Sequence, residues 1–112
     1  MGATLAERVE GLRVEKLGDG AVYCRLVNHY CPGAIAAHRI IHHPNNHYEA
    51  TLNLKQLQIA VGKLSLPISI DIHRLAQQHF ADNWTLLQQL HHHLYTSPVI
   101  HATTKQKAAQ LA

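Results

Sequence analysis

The stretch ATLNLKQLQIAVGKL, residues 50–64, decides the fold. Its apolar positions Ala50, Leu54, Leu57, Val61 and Leu64 advance in steps of four, three, four and three, which line up on one side of a helix and on neither face of a strand. Asn45 or Asn46 is placed to cap the start, and Pro67 stands just beyond the end. The spacing predicts a long helix from about Asn46 to Lys63.

The same period continues on either side. Asp19 is a cap candidate for a helix running to about Tyr30, with Val22, Leu26 and Tyr30 on one side. Cys31-Pro32-Gly33 stops it, because the residue before proline avoids the helical region and a glycine follows. Gly18 and Gly20 flank Asp19 as a turn. A third long helix is expected from Asp82 or Asn83, carrying Leu87, Leu90 and Leu94 inward, with Phe80 and Trp84 filling the junction at its mouth and Pro98 barring continuation. Shorter pieces fill the gaps. Thr4 and Glu7 have capping-box spacing for a brief opening helix, Asp71 caps a turn or two through Leu75, and His38 to Asn45 reads as loop. No alternating strand appears, so the class is all-α. Residues 1–95 form one domain in this reading and residues 96–112, small and weakly patterned, a loosely ordered tail.

Composition narrows the function. The chain has 112 residues, 46% apolar and 15% charged, enough for one core. Its apolar runs are too short for a membrane span and its amino terminus lacks the blocks of a signal peptide, so a cytoplasmic protein without a membrane role is expected. The net charge is +3 with eleven histidines still to protonate. The surplus sits mid-chain, where Arg25, Arg39, Lys55, Lys63 and Arg74 face Glu49 and Asp71. An acidic partner surface suits this distribution. Nucleic acid is not indicated, since there is no Lys/Arg cluster and no aromatic-rich RNA signature.

Catalytic and metal chemistry find little footing. His91, His92 and His93 are neighbours on a helix, point about 100° apart and cannot share one ion. Pro44 breaks the regular spacing between His43 and His47. Beyond residue 20 the carboxylates are Glu49, Asp71 and Asp82, of which the last two read as helix caps. Cys24 and Cys31 read as structural thiols that remain apart. Neither an enzyme, a cofactor nor a metal site is expected.

Four separated motifs resemble the calponin-homology domain of the EB (end-binding, RP/EB) microtubule plus-end proteins. They are Gly20-Ala21-Val22-Tyr23-Cys24; Pro32-Gly33-Ala34-Ile35-Ala36; Asn53, Lys55, Leu57 and Gln58; and Phe80, Asp82, Asn83 and Trp84 with Gln88 following. The chain lies along the family without a gap from Gly20 to about Leu94. The resemblance implies an all-α, calponin-homology-like helical domain of the EB type. The family begins with a longer, tryptophan-containing first helix, and this chain is expected to lack part of it.

The resemblance also implies a non-catalytic microtubule-binding module with tubulin as partner. The family's face is lined with lysines, and here the corresponding positions hold His38, Arg39, Asn45, Ile68 and His79, while a glutamine of the family is Ala81. The last helix carries His91 and His92 where the family has lysines. The expected contact set is His38, Arg39, Asn45, Lys63 and His79, and the lost charge implies weak binding. The alternative is an EB-derived adaptor for another cytoskeletal or basal-body protein. No heptad run follows residue 95, so a monomer is expected.

Overall fold

The computed structural model describes residues 14–97, and every regular element among them is helical. A 3-10 helix spans Val14–Asp19. It is followed by α1 (Ala21–Tyr30), a 3-10 turn (Ala37–Arg39), α2 (His47–Lys63), α3 (Ile72–Ala76) and α4 (Phe80–Thr96). This is the all-α, calponin-homology-like arrangement that the sequence implied. The expected opening helix near Thr4, the shortened first helix, and the tail from residue 98 onward lie outside the described residues.

Helix α2 starts and packs as its pattern requires. Asn46 is the N-cap, its side-chain oxygen accepting from the Glu49 N–H at 2.8 Å. The Glu49 carboxylate reaches back to accept from the Asn45 N–H at 2.7 Å, tying the residue before the cap to the first turn. Ala50, Leu54, Leu57 and Val61 are all buried, and Leu64 packs half-buried against them. Around this stripe sit α1, α3 and the first 3-10 helix, while α4 packs on α1, α3 and that same 3-10 helix. Asp71 caps α3 by accepting from the Arg74 N–H at 3.1 Å.

Three expectations are corrected. First, α1 turns Ala21, Tyr23, Cys24 and Val27 into the core; Val22, Leu26 and Tyr30 are half-buried at its rim. Tyr23 and Cys24 face inward because each polar tip finds a partner there. The Tyr23 hydroxyl donates to Asn83 Oδ1 at 2.7 Å, and Cys24 Sγ lies 3.4 Å from the Asn53 carbonyl. The cap position of α1 is Gly20 rather than Asp19, although Asp19 Oδ1 does accept the Ala21 N–H at 2.9 Å. Gly20 has φ +80°, and a Cβ built there would lie 2.6 Å from the Asn53 Cβ, so both conformation and space require glycine.

Second, α4 starts at Phe80 with His79 as N-cap, earlier than Asp82 or Asn83. Asn83 is fully buried, its Nδ2 donating to the carbonyls of His79 (2.9 Å) and Leu75 (3.3 Å). It joins two elements instead of capping one. Third, Phe80 is 56% exposed and fills no core junction. It stacks on Trp84 with ring centroids 6.3 Å apart, and Trp84 alone of the pair packs against the core.

Both cysteines are free thiols, Cys24 buried and Cys31 half-buried. Burial pushes the Cys24 thiol up to about 12, with Arg25 opposing the shift and Asp19 adding to it. Thiolate is the reactive form, so native-state alkylation at mildly alkaline pH is expected to label Cys31 and spare Cys24. Mass mapping before and after denaturation checks this, and native labelling of Cys24 would contradict its placement.

Candidate functional site

The loop between α1 and α2 is held at both ends by asparagine amides, and this turns its charged tip outward. At the near end, Asn28 Oδ1 accepts from the Ile35 N–H at 2.9 Å and its Nδ2 donates to the Ile35 carbonyl at 2.8 Å. At the far end, Asn53 does the same for Ile41, with distances of 2.9 and 2.8 Å. Ile35 and Ile40 plug the core between these clamps. What remains is the 3-10 turn Ala37–Arg39, whose side chains are all exposed. His38 and Arg39 are therefore surface groups on a fixed turn rather than on a free loop.

The other expected contact residues are exposed as well, but they are not all together. Asn45 borders a cleft of about 220 Å³ lined by Asp19, Asn46, His47, Ala50, Ala76 and Gln78 among others. Asn45 and Gln78 line this one cleft, and His79 is the residue after Gln78. The His79 ring stands 3.2 Å (Nε2) from Gln77 Oε1. Lys63 is the last residue of α2, roughly 25 Å from Asn46 by helical rise. It sits beside Leu64–Pro67, where a second cleft is closed by His93, Thr96 and Ser97. The structure thus sets Asn45 beside the start of α2 and Lys63 at its opposite end, with His38 and Arg39 on the clamped turn and His79 at the start of α4.

Two features escaped the sequence reading. Arg25 on α1 reaches the loop, with Nη1 3.3 Å from His42 Nδ1. Exposed Phe80 lies next to His79 as an aromatic surface group. The polar side of α1, opposite Tyr23 and Val27, was the available signal for Arg25. Nothing in the sequence marked its partner.

Chemically the site offers positive charge and hydrogen-bond donors. Glu49 is spent on the Asn45 N–H, Asp71 on the start of α3, and Asp82 on Arg74 at 3.2 Å. Among the described residues no three His, Cys, Asp or Glu side chains lie together as metal ligands, and no helix is long and apolar enough to cross a membrane.

No family model and no solved structure matches the chain. Curated relatives do. Microtubule-associated protein RP/EB family member 1A of Arabidopsis thaliana is 33% identical over 78 residues, 70% of this chain and 28% of that protein. Member 1B of the same plant is 31% identical over 78 residues, 70% of this chain and 27% of that protein. The chain is a relative of the RP/EB family. End-binding protein 1 of Giardia intestinalis is 29% identical over 76 residues, covering 68% of this chain and 32% of its own length. The EB-type domain described above therefore spans less than a third of the length of these proteins. Two buried asparagines of the motifs that carry the resemblance hold this structure together: Asn53 fixes the loop and Asn83 fixes Tyr23. Those residues build the fold.

Proposed function

We propose that this EB-type domain is a non-catalytic module that binds the microtubule surface through His38, Arg39, Asn45, Lys63 and His79. The observation that supports this most is its relationship to proteins named for microtubule association and end binding. The outward, clamped turn bearing His38 and Arg39 fits that reading, because a rigid basic tip meets an acidic surface without an ordering cost.

Binding is weak in this proposal. The contact set holds only two permanent cations, Arg39 and Lys63, and solvent-exposed ion pairs contribute about 0–1 kcal/mol each. Co-sedimentation with microtubules is expected at low salt and to fall at moderate salt, as screened surface charges require. Replacing His38 and His79 together by lysine should tighten binding at pH 7.5, and Arg39→Glu should weaken it. Absence of co-sedimentation at either salt, with helical circular dichroism intact, would sink the microtubule reading and favour an adaptor role toward another cytoskeletal protein.

A further inference from the structure

Two histidines whose spacing in sequence suggests no pairing converge in the fold. His73 belongs to α3 and His79 is the N-cap of α4, with five residues between them. That separation is not one turn of a helix. Gln78 brings the two together, because its φ of +61° turns the chain just after Gln77, the C-cap of α3. Both imidazoles then meet one side chain. Gln77 Nε2 is 2.8 Å from His73 Nε2, and Gln77 Oε1 is 3.2 Å from His79 Nε2. An amide nitrogen only donates, so His73 Nε2 accepts and turns its lone pair toward the shared amide.

The backbone beneath these rings is fixed from the core. Asp71 caps α3 through the Arg74 N–H. The buried Asn83 amide donates to the carbonyls of His79 and Leu75, which pins the N-cap of α4 to α3. The Gln78 N–H closes the turn on the Leu75 carbonyl at 3.0 Å. Gly18 of the 3-10 helix packs so closely against this turn that a Cβ there would collide with the same carbonyl. His73, Gln77 and His79 are nevertheless exposed, so their side chains can rotate toward one another while the backbone stays in place. Arg74, between them in sequence, is paired with Asp82 at 3.2 Å and brings no unmatched positive charge.

We infer that His73 and His79 form a surface site for a divalent transition-metal ion, with Gln77 Oε1 as a third ligand and water completing the shell. The donor set is two imidazole nitrogens and one amide oxygen. Imidazole suits zinc, copper and nickel, whereas magnesium and calcium favour all-oxygen sites. The ion displaces the two hydrogen bonds that Gln77 makes to the rings. His79 then carries its ring hydrogen on Nδ1 instead of Nε2, which frees the ligating lone pair. Such an ion fastens the end of α3 to the start of α4, and the site stands independently of microtubule binding.

The test is an NMR titration of the full chain at pH 7.5, where ordinary imidazoles are mostly neutral and able to ligate. Nickel(II) is the probe, because its paramagnetism broadens resonances close to the bound ion. At substoichiometric nickel the backbone amide signals of residues 73–79 should broaden first, and excess zinc should restore them. His73→Gln and His79→Gln should each abolish that early broadening. Gln77→Glu should tighten binding several-fold, because a carboxylate replaces a neutral amide oxygen at the same place. Circular dichroism checks that each variant keeps its helices. Three results would overturn the inference: broadening that begins instead at His91–His93 or His42–His47, early broadening that survives either histidine variant, or an affinity unmoved by Gln77→Glu.

Discussion

Asn53→Ala is expected to lower the unfolding free energy by about 3–5 kcal/mol. The Asn53 side chain has no solvent exposure. Its Nδ2 donates to the Asp19 carbonyl at 2.9 Å and to the Ile41 carbonyl at 2.8 Å, while Oδ1 accepts from the Ile41 N–H at 2.9 Å. Truncation strands one backbone donor and two acceptors, each worth about 1–3 kcal/mol when left unsatisfied in the interior, with some relief from entering water. Asn53→Asp should be no better, because it replaces two donors with a carboxylate aimed at two carbonyls. Urea melts measure both. A loss under about 1 kcal/mol for Asn53→Ala would show that the clamp is dispensable. The amide also ties the loop bearing His38 and Arg39 to α2, so the variant should bind microtubules poorly even at a temperature where it remains folded.

How far the sequence could be read follows from what each residue advertises. The α2 stripe was legible because Ala50, Leu54, Leu57 and Val61 are apolar at helical spacing and nothing else competes for that face. The inward side of α1 was not legible. Tyr23 and Cys24 have polar tips, and only the fold shows that Asn83 and the Asn53 carbonyl wait for them. Asn83 misled in the same way. Next to Asp82 it has the look of an N-cap, but its amide is consumed by Tyr23, Leu75 and His79, and the helix begins at Phe80 instead. Local signals cannot announce partners that are distant in sequence.

The candidate site divides along the same line. Exposure of His38, Arg39, Asn45, Lys63 and His79 followed from their chemistry. Their grouping did not. That Asn45 and Gln78 share a cleft and that Arg25 meets His42 are products of how the helices and their connecting loops close on one another.

Leu57→Ala should cost about 2–5 kcal/mol, in the upper part of that range if the surrounding core fails to close the void. Leu57 is fully buried in the middle of α2, within the cluster that includes Leu54, Val61, Leu87 and Leu90. Ile59, two residues on, is 52% exposed and serves as the control; its truncation should cost less than about 1 kcal/mol. Chemical denaturation with an unchanged m-value reads both. A loss below about 1 kcal/mol at Leu57 would mean that this face of α2 does not build the core. The comparison with Asn53 then distinguishes what stabilises the domain from what positions its contact loop. Leu57 has no hydrogen bond to that loop, so Leu57→Ala, held at a temperature where it is folded, should keep whatever microtubule binding the wild type has. Asn53→Ala under the same condition should not, because it unties Ile41 from α2 and leaves Arg39 on a turn anchored at only one end.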